Sequence, residues 1–303
     1  METNILLESG TNELEILEFR VGGNYYGINV AKIKEILTYK KPTPIPNSHP
    51  SIEGIFMPRD TIISIINLAK SLGLPPSADD SKDMYIVTNF NQLHTGFHVH
   101  EVMGIHRVSW ADIVKPDETI NTAGAGVATG IIKLDDKLII ILDFEKIVND
   151  ISPETSLRIS DLENMGPRER NNVPILIAED SALLSKLITD SLRKSGYDNV
   201  KVTYNGQEAW DKLCALKKEG SVKEKVRCII TDIEMPQMDG HHLTKLVKTD
   251  EVLKSIPVVI FSSLVNDEMR RKGEALGADA QLSKPEIGML VECIDRLVER
   301  KNE

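Results

Sequence analysis

The sequence has little cysteine and no strongly basic segment. Its three cysteines, Cys214, Cys228 and Cys293, are too widely spaced for a disulfide framework or a zinc site, which leaves buried or idle thiols in a reducing compartment. No apolar run approaches the roughly 20 residues of a membrane span, so no direct membrane insertion is expected. The opening METNILLESGTNELEILEF lacks a basic n-region, so no secretory signal is expected and a cytoplasmic protein is. Basic charge is nowhere concentrated: residues 1–152 hold 20 acids and 13 bases, residues 173–303 hold 22 and 20, and the net charge is −10. Nothing therefore favours nucleic acid through counterion release. A transcription regulator would need a basic DNA-reading element, and the chain stops just after its last expected helix.

Hydrophobic residues make up 41% of the 303 and charged residues 27%, which suits two soluble domains of ordinary size. The two halves have different rhythms. In the first, LEILEFRV (14–21), MYIVTNF (84–90), TGFHVHEV (95–102) and KLIIILDF (137–144) alternate like strands, and Gly- and Pro-rich turns interrupt them. Many short strands with few helices predict an all-β barrel or sandwich. Short helices are expected at 31–37 and 145–150. The polar stretch 153–172, with prolines close to its ends, reads as a linker that is helical in part.

The second half alternates strand and helix. Strands are expected at 174–178, 199–203, 227–231, 257–261 and 279–282, and amphipathic helices at 181–195, 206–219, 239–249, 265–275 and 286–299. Five such units imply an α/β doubly wound parallel sheet with both faces covered. Ligands of such sheets bind beyond the carboxyl ends of the strands.

Those strand ends carry the chemistry. VPILIAEDSALLSKLI runs from a buried strand directly into Glu179 and Asp180, two like charges side by side. The third strand ends at Asp232 in TDIEMPQMDG, the fourth at Ser262, and the fifth at Lys284 followed by Pro285. Adjacent carboxylates repel unless a cation neutralises them, and Mg²⁺ takes carboxylate, water and phosphate oxygens. Asp232 can then attack a phosphoryl group and hold it, with Lys284 and Ser262 against the spread negative charge. The bland alternative is a helix cap by Asp180 with no chemistry, but it explains neither Asp232 nor Lys284.

With these residues in this order, residues 173–303 resemble a response-regulator receiver domain of flavodoxin-like fold. The resemblance implies Asp232 as phospho-acceptor, with Ser262 and Lys284 as its catalytic neighbours. It also implies Asp180 and Asp232 as direct Mg²⁺ ligands, Glu179 acting through water, a ligand from the Glu234 backbone carbonyl, and a cis peptide at Lys284–Pro285. Gln281 stands where receivers commonly carry an aromatic switch residue. Glu234 and Leu264 flank the path of the hydrolytic water, so slow self-dephosphorylation is expected.

Residues 13–152 resemble a CheW-like coupling domain in LEFRVGGNYYGINVAKIKEIL, SIEGIFMPRDTIISIINLAKSLGL and TGIIKLDDKLIIILDFEKIV. The family fold is two five-stranded β-barrels without catalytic residues. The resemblance places Arg59 in a receptor-contacting turn, with Asp60 where the family has glycine, and Ile33 and Gly54 at positions associated with coupling. Ile33 also reads as helix core and Gly54 as a residue of a tight turn. His98 and His100 share a strand face, which raises a metal site; solvated histidines are the simpler expectation. His241 and His242 read as exposed, and Trp110 and Trp210 as packing residues.

The order of the two segments is similar to the CheV type of chemotaxis protein. That resemblance implies an adaptor that is not an enzyme acting on an external substrate. Its expected partners are the histidine kinase CheA and the cytoplasmic tips of methyl-accepting chemoreceptors, at polar receptor arrays. Phosphorylation would modulate coupling or adaptation, or drain phosphate from the pathway. The alternative is a structural coupling scaffold with an inactive receiver.

Overall fold

The computed structural model describes residues 11–90, 93–116, 126–134, 136–152, 168–264, 266–284 and 286–299. Contacts divide the chain into two compact units, Leu14–Thr155 and a second made of Ser156–Glu303 together with Met1–Glu13.

The first unit contains two five-stranded sheets. One runs in the order β8-β1-β2-β10-β9, from β1 (Glu13–Val21), β2 (Asn24–Asn29), β8 (Glu101–Ser109), β9 (Ala128–Leu134) and β10 (Lys137–Leu142). The other runs β3-β6-β7-β5-β4, from β3 (Ile33–Thr38), β4 (Ile52–Phe56), β5 (Ile63–Asn67), β6 (Met84–Phe90) and β7 (Leu93–Val99). Short helix α1 (Leu68–Ser71) follows β5, and α2 (Phe144–Ile151) follows β10. One core joins the unit: Phe19 and Ile28 of the first sheet, Ile86 and Phe97 of the second, and Phe144 and Ile147 of α2. Each fully buried side chain of this size contributes about 1.5–3 kcal/mol. Trp110 fills a smaller cluster with Ile16 and Ile132.

Two expectations are corrected here. The helix expected at 31–37 is a 3₁₀ turn, Val30–Lys32, that runs into strand β3. The spacing of Ile33, Ile36 and Leu37 suits a helix, but pairing with β6, from Ile33↔Thr88 to Thr38↔Met84, decides the outcome. The strand expected at 95–102 is two strands, because the chain crosses from one sheet to the other at His100. There the His100 amide donates to Arg20 O at 2.9 Å, and His100 Nδ1 accepts from Gly22 N at 3.1 Å.

The second unit is a parallel sheet in the order β12-β11-β13-β14-β15. Its strands are β11 (Ile175–Ala178), β12 (Val200–Thr203), β13 (Cys228–Thr231), β14 (Val258–Ser262) and β15 (Ala280–Ser283). Its helices are α3 (Ala182–Lys194), α4 (Gly206–Lys218), the short α5 (Val222–Lys225), α6 (Gly240–Thr249), α7 (Asp267–Ala275) and α8 (Ile287–Glu299). Ile177, Ile230 and Phe261 face a core with Ile188 of α3 and Leu290 of α8. Leu176, Ile229 and Val258 face the opposite core with Leu213 of α4 and Leu243 of α6. Central strands buried on both faces account for runs such as ILIA that lack alternation. Strand order reverses between β11 and β13, which opens a crevice at their carboxyl ends. Asp295 of α8 binds both Arg168 and the Tyr197 hydroxyl, so the chain just before β11 is fastened to this unit.

Candidate phosphoacceptor site

Glu179 and Asp180 follow β11 and Asp232 follows β13, so the crevice receives all three carboxylates. One oxygen from each lies within 4.8 Å of the others. Glu179 is 2% exposed, Asp232 6% and Lys284 5%. Lys284 Nζ donates to Asp232 Oδ2 at 2.7 Å and ion-pairs with Glu179 Oε2 at 3.1 Å. The other oxygen of Asp232, Oδ1, accepts from Ile233 N at 2.7 Å. Ser262 is buried at the end of β14, in register with Ser283, the residue before Lys284.

One ammonium faces three carboxylates, and the imbalance shows in Glu179. Burial raises its pKa well above the ordinary value, Asp232 and Asp180 add repulsion, and Lys284 only partly offsets them. A donor set of hard, crowded, anionic oxygens suits a small divalent cation such as Mg²⁺. Such an ion would neutralise the acids and draw in phosphate oxygens.

The helix after the acidic pair is capped by Ser181, whose Oγ accepts from Leu184 N at 3.3 Å. The capping alternative for Asp180 is therefore set aside. Glu234, partly buried, lies in the loop after Asp232, and Leu264 is buried two residues beyond Ser262. Pro285, and with it the expected cis peptide, lies outside the described residues, as do residues 153–167 of the expected linker.

Gln281 donates from Nε2 to Arg270 O on α7 at 2.7 Å, while its Oε1 is buried without a hydrogen-bond partner among the described residues. A Cβ at Gly273 would lie 2.3 Å from that oxygen. Glycine at 273 is thus what lets the amide lie flat against α7.

The three candidate contact residues of the first unit separate by role. Arg59, in the β4–β5 turn, is exposed and pairs with Glu35 at 3.2 Å, a surface ion pair that contributes little to stability. Gly54 has φ +151°, and a Cβ there would meet Thr43 O at 2.3 Å, so its backbone demands glycine. Ile33 is half-buried strand, packed on the core, rather than helix.

The histidine expectations need correction. His98 is buried, with Nδ1 2.8 Å from Glu53 Oε2 and Nε2 2.8 Å from Asp83 Oδ2. Both ring nitrogens are engaged, so neither solvation nor a metal site with His100 describes it. His106 pairs at 2.7 Å with buried Glu18, which also binds Lys137 at 2.5 Å. His241 is buried in the first turn of α6, and burial lowers its pKa to about 4; His242 is half-buried. Nothing in the spacing could have found the His98 cluster, because Glu53 and Asp83 lie 45 and 15 residues away.

The fold and this site define a β coupling module followed by a receiver. Residues 15–152 match the CheW-like domain and residues 175–295 the response regulator receiver domain. Chemotaxis protein CheV3 of Helicobacter pylori is 30% identical over 95% of this chain and 96% of its own length. Chemotaxis protein CheW of Thermotoga maritima is 30% identical over 48% of this chain and 95% of its own length. Chemotaxis protein CheY1 of Helicobacter pylori is 33% identical over 29% of this chain and 66% of its own length. The chain belongs to the CheV family of chemotaxis coupling proteins. It is a chemotaxis coupling adaptor that carries a receiver domain.

Proposed function

We propose that residues 13–152 couple chemoreceptors to the histidine kinase CheA, that 153–172 are a linker, and that 173–303 receive a phosphoryl group from phospho-CheA on Asp232. The observation that carries this reading is Lys284 Nζ at 2.7 Å from Asp232 within a cluster of three carboxylates. An Asp232 carboxylate oxygen attacks the phosphorus of a phosphohistidine, the P–N bond breaks, and the histidine nitrogen leaves with the electron pair and takes a proton. Mg²⁺, held by Asp180, Asp232 and the Glu234 carbonyl with Glu179 acting through water, would screen the negative charge of the transferred group. Lys284 then turns from Asp232 to a phosphoryl oxygen, and the Ser262 hydroxyl donates to another, a charge-assisted bond. Phosphorylation changes coupling within a cytoplasmic receptor array. Incubation with acetyl phosphate and Mg²⁺, followed by mass spectrometry, tests the acceptor directly. A chain that stays unphosphorylated under both acetyl phosphate and phospho-CheA would instead be a structural scaffold.

One expected result follows from the residues flanking the acceptor and another from the coupling domain. Leu264 beside Ser262 and the charge of Glu234 obstruct an in-line water, so the phosphoryl group persists for minutes or longer. Leu264→Gly should shorten that lifetime in a phosphate-release assay, and an unchanged lifetime would remove Leu264 from the account. In the coupling domain, Arg59→Glu reverses an exposed charge and breaks the pair with Glu35 without touching the core. Receptor-dependent kinase activation in a reconstituted array should fall while the melting temperature moves little. Unchanged coupling would leave Arg59 an ordinary surface residue.

A further inference from the structure

The loop that follows Asp232 is closed by its own backbone. Gly240 N donates to Ile233 O at 2.9 Å, Met238 N to Pro236 O at 2.8 Å, and Gly206 N of α4 to Met238 O at 3.1 Å. Asp239 caps α6 by accepting from His242 N at 2.7 Å. Two groups of this loop point outward from that closure, the Gln237 carbonyl and the Asp239 amide. Both are met by one side chain far away in sequence. Asn12 Nδ2 donates to Gln237 O at 2.8 Å, and Asn12 Oδ1 accepts from Asp239 N at 3.0 Å. The carboxamide thus reads the loop as a neighbouring strand would, through one carbonyl and one amide. Asn12 is held at φ +65° and Gln237 at φ +67°, a region that asparagine tolerates better than most residues. By its contacts Asn12 groups with the receiver unit.

We infer that the segment carrying Asn12 docks on the phosphoacceptor loop of the receiver, and that this docking and the loading of Asp232 oppose one another. The second part rests on the phosphorylation reading above. The docked loop accompanies the arrangement in which Lys284 and the Ile233 amide occupy both oxygens of Asp232. Phosphorylation would remove Lys284 from Asp232, and a bound Mg²⁺ would be held in part by the Glu234 carbonyl, in the middle of this loop between the Asp232 end and the Asn12 contact. A ligand that favours one loop arrangement weakens whatever favours the other, and the effect is reciprocal. Here the ligand is the adaptor's own N-terminal segment, recognised by one carboxamide.

The test uses the full chain and amide hydrogen exchange at Asp239, with two variants. Asn12→Gly keeps the positive φ and removes both bonds; Asn12→Asp keeps the acceptor and sets a carboxylate against the Gln237 carbonyl. Asn12→Gly should accelerate Asp239 exchange by about tenfold, the equivalent of roughly 1.4 kcal/mol for a pair of hydrogen bonds, and Asn12→Asp by less, because its retained oxygen can still accept from that amide. In the wild type, Mg²⁺ with beryllofluoride should accelerate the same amide and also change exchange at Ile233, whose acceptor is an oxygen of Asp232. Unchanged Asp239 exchange in both variants overturns the docking. Changed exchange at Ile233 without any effect at Asp239 overturns the opposition while leaving the phosphosite standing. No effect of beryllofluoride anywhere in the receiver sinks the phosphosite reading and the opposition with it, whereas the variants still decide the docking.

Discussion

Asp232→Asn is expected to abolish phosphorylation by acetyl phosphate and Mg²⁺ completely while both units stay folded. The change is nearly isosteric, but an amide oxygen is not a nucleophile toward phosphorus, and no neighbouring group replaces it. Glu179 is the other carboxylate in contact with Lys284, and burial holds it toward its protonated form. Structurally, the variant keeps one acceptor oxygen where Asp232 has two, so it gives up either the 2.7 Å contact to Lys284 or the 2.7 Å bond from Ile233 N, while Lys284 keeps Glu179 at 3.1 Å. It also relieves repulsion among three crowded acids, so the metal-free receiver changes stability only modestly. The metal response should change more. At a Mg²⁺ concentration of about 100 times the dissociation constant, binding stabilises the wild-type receiver by roughly 2.7 kcal/mol. Removing one anionic ligand should erase most of that shift in a thermal melt. A variant that still takes up phosphate would move the acceptor elsewhere. A variant that melts with an undiminished Mg²⁺ response would remove Asp232 from the metal site.

Much of the receiver was legible because its signals are local. Each expected strand and helix of the second half lies within a few residues of the observed element, since apolar runs, N-caps and the strand–helix alternation all act over short distances. The acidic pair, Asp232, Ser262 and Lys284 were legible for a topological reason. A parallel sheet gathers the ends of all its strands at one edge, so residues distant in sequence become neighbours once the strands are counted. The coupling domain gave less away. Ile33–Thr38 is a strand because β6 pairs with it, and that pairing partner lies about 50 residues on. His98 and Asn12 were misread or missed for the same reason. Their partners are set by cross-sheet contacts and by a loop 225 residues distant, and neither leaves a mark in local spacing.

The His98 cluster gives the second large effect. Imidazole flanked by two carboxylates satisfies both only as imidazolium, because a neutral ring donates from one nitrogen and would set its other lone pair against a carboxylate. Burial opposes that charge, but hydrogen bonds and attraction from Glu53 and Asp83 outweigh it and hold the pKa of His98 above the ordinary value. Glu53 is balanced in the opposite sense: burial raises it, and His98, Tyr39 and Asn67 together bring it below the ordinary value. Tyr39 lies stacked on the imidazole with ring centres 4.4 Å apart and donates to Glu53 at 3.1 Å, and its own pKa rises to about 12. Ser77 donates to Asp83 at 2.8 Å, which completes the shell, and burial lowers the pKa of neighbouring His100. A raised histidine contributes stability that is fully present below about pH 6.5 and is lost as pH rises through the higher folded value. A lowered carboxylate contributes above its unfolded value, about 4.3, and loses that contribution as pH falls through the folded one. The coupling domain should therefore be most stable between these limits and soften on the alkaline side as pH rises through the raised His98 value. His98→Gln leaves Asp83, which is 0% exposed, without its countercharge, and removing one partner of such a buried pair costs about 3–5 kcal/mol. The coupling-domain transition should fall accordingly in calorimetry, and its alkaline limb should flatten because the titrating group is gone. The receiver transition serves as the internal reference. An alkaline limb that keeps its slope in His98→Gln would mean that another group sets it and that His98 is neutral in the folded protein.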